Sequence, residues 1–303
     1  MATVGACVVG CCLALLIWLV ATPRSTGAAA TTPSGAGGAG AGAGAGAVRT
    51  TAPRQEPFAP PVHARVAAER DTLGACETRL EDAQDGLPTV AIVGASYTAG
   101  VGPGDAAQSW AVLLARDLRW NAVVDGVPGI GYVRTGSGDH GPVLRMLTRI
   151  GLHALDPALV IVQAGHDDSG VPASLERQRV GQAIAAIRAA APRAKIALLT
   201  VFTGPSAPTP ALVQTNDAII DAGVAADPGV IIMDPLDDWS FAHAHAGLHP
   251  TAAGDAWIAA RVASVVRAHG VLPAAAGSDP VICDSGVAGH GTRDSGAVRG
   301  RAL

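Results

Sequence analysis

From Pro88 onward the chain alternates short apolar runs with longer stretches in which apolar residues recur every three or four positions. Five runs read as strands: Val90–Gly94, Ala122–Asp125, Leu159–Gln163, Lys195–Val201 and Val230–Met233. Stretches near 106–118, 142–155, 173–191, 208–226 and 252–269 read as helices. The strand runs are continuous in Val, Ile, Leu and Ala rather than alternating with polar residues, as expected of strands covered on both faces. Strands and helices of this length taken in turn predict a parallel sheet between helical layers. The expected fold is α/β, a three-layer α/β/α domain over residues 88–270 with a flavodoxin-like five-stranded parallel sheet.

The flanks follow other patterns. Val4 to Ala21 is apolar and free of charge, which suits a signal-peptide core or a short membrane anchor, so residues 1–24 read as one or the other. No Lys or Arg precedes that run, and Arg24 lies beyond it. Val8-Val9-Gly10-Cys11 has the look of a lipoprotein cleavage site, but most of the apolar run follows Cys11. Residues 25–62 are rich in Ala, Gly, Thr, Ser and Pro, with an alternating Gly-Ala tract from Gly38 to Gly46. That composition buries too little apolar surface to offset ordering entropy, and it reads as a disordered linker. Residues 63–87 set Val66, Ala67, Leu73, Cys76 and Leu80 among charges, the pattern of an amphipathic helix packed on the domain. Residues 271–303 return to Gly, Ala, Ser and Asp and read as a mostly disordered tail apart from Cys283.

Composition narrows the function classes. The formal net charge is -4, only 15% of residues are charged, and no basic cluster runs along any segment, which argues against a nucleic-acid partner. Cys7, Cys11 and Cys12 belong to the N-terminal apolar segment, leaving Cys76 and Cys283 on either side of the central domain. In an exported protein such a pair favours a disulfide joining the two flanks; two buried thiols are the alternative. Neither has the spacing of a metal site. The expected location is secreted or membrane-anchored, with the domain outside the cytoplasm and membrane contact only through the N-terminal segment.

In an open parallel sheet, ligands gather beyond the carboxyl ends of the strands. The first strand run is followed by Ser96, the second by Gly126-Val127-Pro128-Gly129-Ile130-Gly131-Tyr132, and the third by Gly165-His166-Asp167-Asp168. After the fifth come Asp234, Asp237 and Asp238, then His243, His245 and His249. A hydroxyl, two Gly-rich loops and a late imidazole at one sheet edge supply a nucleophile, amide donors and a general base, the parts needed for acyl transfer. Other readings fit less well. The three His alternate with Ala on an apparent loop and no Cys or Glu completes a ligand set, so neither metal nor cofactor is expected. Gly126, Gly129 and Gly131 follow the wrong strand for a dinucleotide fingerprint. Thr98 stands where the Gly-x-Ser-x-Gly elbow needs a glycine. Asp167 and Asp168 also fit a solvated loop pair, or an acid pair for glycoside chemistry without an evident further partner.

The order Gly-x-Ser-(x)3-Gly, a Gly loop after the second strand, Gly-x-x-Asp and finally Leu-His-Pro-Thr resembles the SGNH/GDSL hydrolases. Gly94 to Gly100 matches the first block, with Ala95 where Asp is usual, and Gly247 to Gly254 matches the last. The resemblance implies that Ser96 attacks an acyl carbon and His249 takes and returns its proton. It places the oxyanion donors at the Ser96 N–H, the Gly129 N–H and a side-chain amide from the third block. Two departures follow. Asp167 occupies the position where the family has Asn, and an ionised carboxylate offers no donor. Ala246 stands where the family has the Asp that orients the imidazole, leaving the Ala246 carbonyl, Asp237 or Asp238 as candidates for that task.

Tyr132 and Trp239 are candidates to line an acyl or sugar pocket, with Ala99, Val101 and Ile130 near the site. Two functions therefore stand. One is an exported serine hydrolase that cleaves carboxylic esters, acting on a small-molecule or envelope-associated acyl ester. The other, prompted by Asp167 and Ala246, is a catalytically weakened protein that binds an acyl or glycan ligand.

Overall fold

The computed structural model describes residues 86–136, 138, 140–237, 239, 245–271 and 279–284. The signal or anchor segment, the linker, nearly all of the 63–87 helix and Cys76 lie outside the described residues.

The strands are β1 (Thr89–Gly94), β2 (Asn121–Gly126), β3 (Leu159–Gln163), β4 (Lys195–Leu199) and β5 (Ile231–Met233), followed by β6 (His245–Ala246), β7 (His249–Pro250) and β8 (Ile282–Asp284). The helices are α1 (Trp110–Leu118), α2 (Val143–Arg149), α3 (Leu152–Leu155), α4 (Ala173–Ala190), α5 (Pro210–Ala226) and α6 (Ala252–Ala268). The main sheet runs β5-β4-β3-β1-β2-β8, with every neighbouring pair parallel. β6 and β7 form a separate antiparallel hairpin. The five expected strands are present in the flavodoxin-like order. The sixth, β8, corrects the expected strand number: it comes from the segment read as mostly disordered, where a three-residue run is too short to signal a strand. It is held by Val281 N–H donating to Asn121 Oδ1 at 2.8 Å and by Ala122 N–H donating to the Val281 carbonyl at 2.9 Å.

Successive strand residues serve opposite layers. Ala91, Val93, Val160 and Val162 pack with Val143 and Leu147 of α2, Val180, Ile184 and Ile187 of α4, and Ile219 of α5. Val90, Ile92, Leu159 and Ile161 pack with Trp110, Leu114 and Leu118 of α1 and with Ile258, Val262 and Val266 of α6. Burial on both faces is why the strand runs show no polar alternation. Each Val, Leu or Ile side chain among them contributes about 1.5–3 kcal/mol when removed from water.

Local chemistry sets the helix starts. The Ser109, Thr209 and Thr251 hydroxyls accept backbone N–H groups at the first turns of α1, α5 and α6, and Pro210 opens α5 where its missing N–H costs nothing. The expected 106–118 helix divides into a 3₁₀ turn, Ala106–Gln108, and α1. The 142–155 helix divides into α2 and α3 at Gly151, which turns left-handed (φ 63°). Sheet order reverses around β1, so the crevice beyond β1, β2 and β3 is where such a sheet receives a ligand.

Candidate active site

The turn after β1 is packed too tightly for larger residues. A Cβ on Gly94 would lie 2.1 Å from Thr98 Oγ1 and 2.8 Å from the Gln163 carbonyl. One on Gly126 would come within 2.5 Å of the Ala99 backbone. Gln163 closes β3 and ties the turn down: its carbonyl accepts Ala95 N–H at 3.0 Å. Its side-chain Oε1 accepts Thr98 N–H at 3.3 Å and the Thr98 hydroxyl at 3.0 Å. The turn also closes on itself, Ala99 N–H donating to the Ala95 carbonyl and Val101 N–H to the Ser96 carbonyl. Ser96 is left half-buried at the top of the sheet.

The β6–β7 hairpin brings His249 to this turn. Gly247, at φ 68°, makes the reversal, and Ala246 pairs with His249 across the ladder. His249 Nε2 lies 3.0 Å from Ser96 Oγ. Two further contacts join hairpin and turn: the Tyr97 hydroxyl donates to the Leu248 carbonyl at 2.5 Å, and Gly102 leaves room for the Pro250 carbonyl, which a Cβ would meet at 1.7 Å. Tyr97 stacks on Phe202 (centroids 4.4 Å apart) and lies tilted beside His249 at 5.8 Å. Edge contacts continue from Phe202 to Trp239 and on to Trp257. Burial lowers the His249 pKa, the His166 and His245 rings add to that, and the Asp167 carboxylate partly opposes it. The ring is therefore neutral at neutral pH, the form that accepts a proton.

Gly129 follows β2 in a turn at φ 80°. Among the described residues, neither its N–H nor that of Ser96 meets an acceptor. Asp167 sits in the 3₁₀ turn after β3, half-buried, and burial pushes its carboxyl upward against the pull of His166, His249 and Arg134. Asp167 and His249 feel each other's charge, the carboxylate raising the ring's pKa and the ring lowering the carboxyl's.

Asp168 has a different place. It is fully buried and accepts backbone N–H groups from Tyr132 at 2.6 Å, Val133 at 3.3 Å and Arg134 at 2.9 Å. A Cβ on Gly131 would lie 2.0 Å from its Oδ2. Burial and then the Asp168 charge push the neighbouring Glu176 carboxyl, 1% exposed, up to about 9, so it keeps its proton beside Asp168. Asp168 is thus neither part of a solvated loop pair nor an open glycoside-type acid; it clamps the Gly129-bearing loop to the end of β3.

Other expected residues divide. Asp237 is exposed and makes no hydrogen bond to His249, while Asp238 and His243 lie outside the described residues. Tyr132 and Trp239 are 2% and 8% exposed and belong to the core, so neither walls an open pocket. Ala99 and Ile130 are likewise buried. Among the described residues no three His, Cys, Asp or Glu side chains are grouped to hold a metal. Sequence reasoning passed over Tyr97, Gln163 and the clamping use of Asp168. A polar residue ending an apolar strand run, as Gln163 does, was the available signal.

Residues 92–257 match the profile of the GDSL-like lipase/acylhydrolase family, more than half of the 303-residue chain. The chain belongs to that family. Membership brings ester hydrolysis in general as the chemistry of the site. No curated protein matches the chain. Among solved structures, it is similar to a carbohydrate esterase family 2 enzyme with a carbohydrate-binding domain from Corynascus thermopiles (Myceliophthora fergusii), at TM-score 0.50 and 22% identity over 60% of this chain and 67% of that one. It is also similar to an active-site mutant of a family two carbohydrate esterase from Clostridium thermocellum, at TM-score 0.51 and 18% identity over 61% and 65%. A salicylyl-acyltransferase from a tetracycline biosynthetic pathway aligns at TM-score 0.52 and 18% identity over 63% and 57%. The chain spans about two thirds of the length of the two esterases. Likeness at these identities concerns the shared α/β fold.

Proposed function

We propose that the chain is an exported serine hydrolase that cleaves carboxylic esters, with Ser96 as nucleophile and His249 as general base. The observation that carries this reading is the 3.0 Å approach of His249 Nε2 to Ser96 Oγ. Ser96 Oγ bonds to the acyl carbon while its proton passes to His249 Nε2. The tetrahedral oxyanion accepts from the Ser96 and Gly129 N–H groups, and collapse expels the alcohol, which takes the proton from His249. Water then attacks the acyl-Ser96 carbonyl, gives its proton to His249 and releases the carboxylic acid as Ser96 regains its hydrogen. Either the Ala246 carbonyl or Asp238 of the preceding loop orients the imidazole. The substrate class is a small-molecule or envelope-associated acyl ester, and esterase, lipase and deacetylase activities all fit it. The N-terminal segment serves for export or anchoring, and Cys76 pairs with Cys283.

The second reading, a weakened member that binds an acyl or glycan ligand, is favoured by the carboxylate of Asp167 where a donor is needed. Losing one oxyanion donor costs roughly 100- to 1000-fold in rate. A fluorophosphonate probe separates the two. Labelling of the wild-type domain that disappears in Ser96→Ala and falls steeply in His249→Ala is expected. Absence of Ser96-dependent labelling, together with no hydrolysis of short-chain nitrophenyl esters, eliminates the enzyme. Peptide mapping without reductant is expected to recover Cys76 and Cys283 as one cross-linked pair; both as free thiols would remove the bridge and weaken the case for export.

A further inference from the structure

A groove of about 620 Å³ opens beside Gly129, lined by Pro128, Gly129, Val133, Arg134, Thr135 and Gly136. Arg134 is its cation. Surface arginines are common, but this one is not on a loose loop. Its N–H donates to Asp168 Oδ1 at 2.9 Å and its carbonyl accepts Gly131 N–H at 3.0 Å, so its backbone is held on both sides. The next residue, Thr135, bridges back to Ile130, and its carbonyl accepts Gly141 N–H at 2.8 Å. The anchor, Asp168, is fully buried. The guanidinium itself is exposed and makes no hydrogen bond or ion pair among the described residues; Asp167 is the charge within its electrostatic reach.

We infer that this groove is an anion subsite of the reaction centre and that Arg134 selects esters carrying a carboxylate. The inference rests on the Ser96–His249 reading above, because Gly129, whose N–H is assigned there to the oxyanion, lines the groove. An ester carbonyl at that N–H extends one of its two substituents along the groove toward Arg134. A guanidinium matches a carboxylate through two parallel N–H···O bonds, and its ordered backbone leaves only the side chain to be immobilised on binding. A neutral acyl or alcohol group gains nothing from that cation. Arg134 is a specificity-determining residue here and takes no part in bond making.

The test uses two matched ester pairs, since the anion has two routes into the groove. Mono-4-nitrophenyl succinate against 4-nitrophenyl acetate places it on the acyl side. 3-Acetoxybenzoate against phenyl acetate places it on the alcohol side. The quantity read is the kcat/KM ratio of anionic to neutral ester, in which the intrinsic reactivity of each pair cancels between variants. Arg134→Gln is expected to lower that ratio about five- to tenfold for at least one pair, mainly through KM, as removal of uniform binding does. Arg134→Lys should restore part of it as a point charge, and salt should erode the wild-type preference between about 0.05 and about 0.5 M. A ratio within twofold of wild type for both pairs in Arg134→Gln overturns the subsite while leaving the nucleophile untouched. Hydrolysis of the neutral esters that survives in Ser96→Ala removes the reading beneath it, and the subsite with it.

Discussion

His249 and Asp167 act on each other as charges, and that coupling has a measurable sign. Burial lowers the His249 pKa while the Asp167 carboxylate raises it, so the base stays neutral to a pH below 6.5. With His249 as the proposed base, the acidic limb of kcat/KM should therefore have its midpoint under 6.5, because only a neutral imidazole can accept a proton. Asp167→Asn removes the one influence that raises the ring's pKa, and the limb should move further toward acid. With Asp167 in the proposed donor position, the same change supplies an amide to the oxyanion, and the rate should rise by at least tenfold. A flat or lower rate would show that Asp167 does not face the oxyanion; a limb that stays in place would deny the coupling. Ser96 and His249 were legible because their residue types and strand-end placement are local properties. Tyr97 was not, since its hydrogen bond to the Leu248 carbonyl joins residues 151 positions apart, and no local pattern encodes such a pairing.

At the scale of elements, buried carboxyls do the joining. Asp168 fastens the loop after β2 to the end of β3, and Asp255, in the first turn of α6, accepts Trp110 N–H at 2.9 Å at the start of α1. Asp255 is fully buried, and burial lifts its pKa to about 7, with the Trp110 N–H pulling the other way. An unfolded Asp loses its proton near 3.8, so between about 3.8 and about 7 the unfolded chain ionises first and the native state loses stability as pH rises. Glu176 does the same between 4.5 and about 9. Thermal unfolding should accordingly show Tm declining from about pH 4 toward about pH 9, the window these two groups set. Asp255→Asn keeps the acceptor for Trp110 N–H and removes one of the two contributions. Its Tm should exceed wild type by about 5 °C near pH 8 and converge with it near pH 4. Equal slopes for the two proteins would mean that Asp255 is charged in the native state. Nothing in the sequence marks Asp255 as buried: an acid in the first turn of a helix ordinarily faces solvent and serves the helix dipole.

For the whole molecule, the alternation of apolar runs and helical stretches was enough to predict a parallel sheet between helical layers. That worked because burial on both faces leaves an unbroken Val, Ile, Leu and Ala signature in each of the first five strands. Helix subdivision at Gly151 and the 3₁₀ turn before α1 were less legible, since periodicity passes through a single left-handed residue without a break. β8 escaped because three residues carry no period, and its partner Asn121 lies far upstream. That late strand has a consequence for solubility. It covers the middle of β2, a six-residue strand, and leaves the sheet bordered on both sides by three-residue strands, β8 and β5. Short borders offer little template for another chain, whereas a bare β2 would present a row of open N–H and C=O groups. A chain ending at residue 271 should keep the Ser96–His249 pair yet self-associate. Light scattering of the truncated protein should rise with concentration, and an unchanged monomer would show that β2 needs no cover.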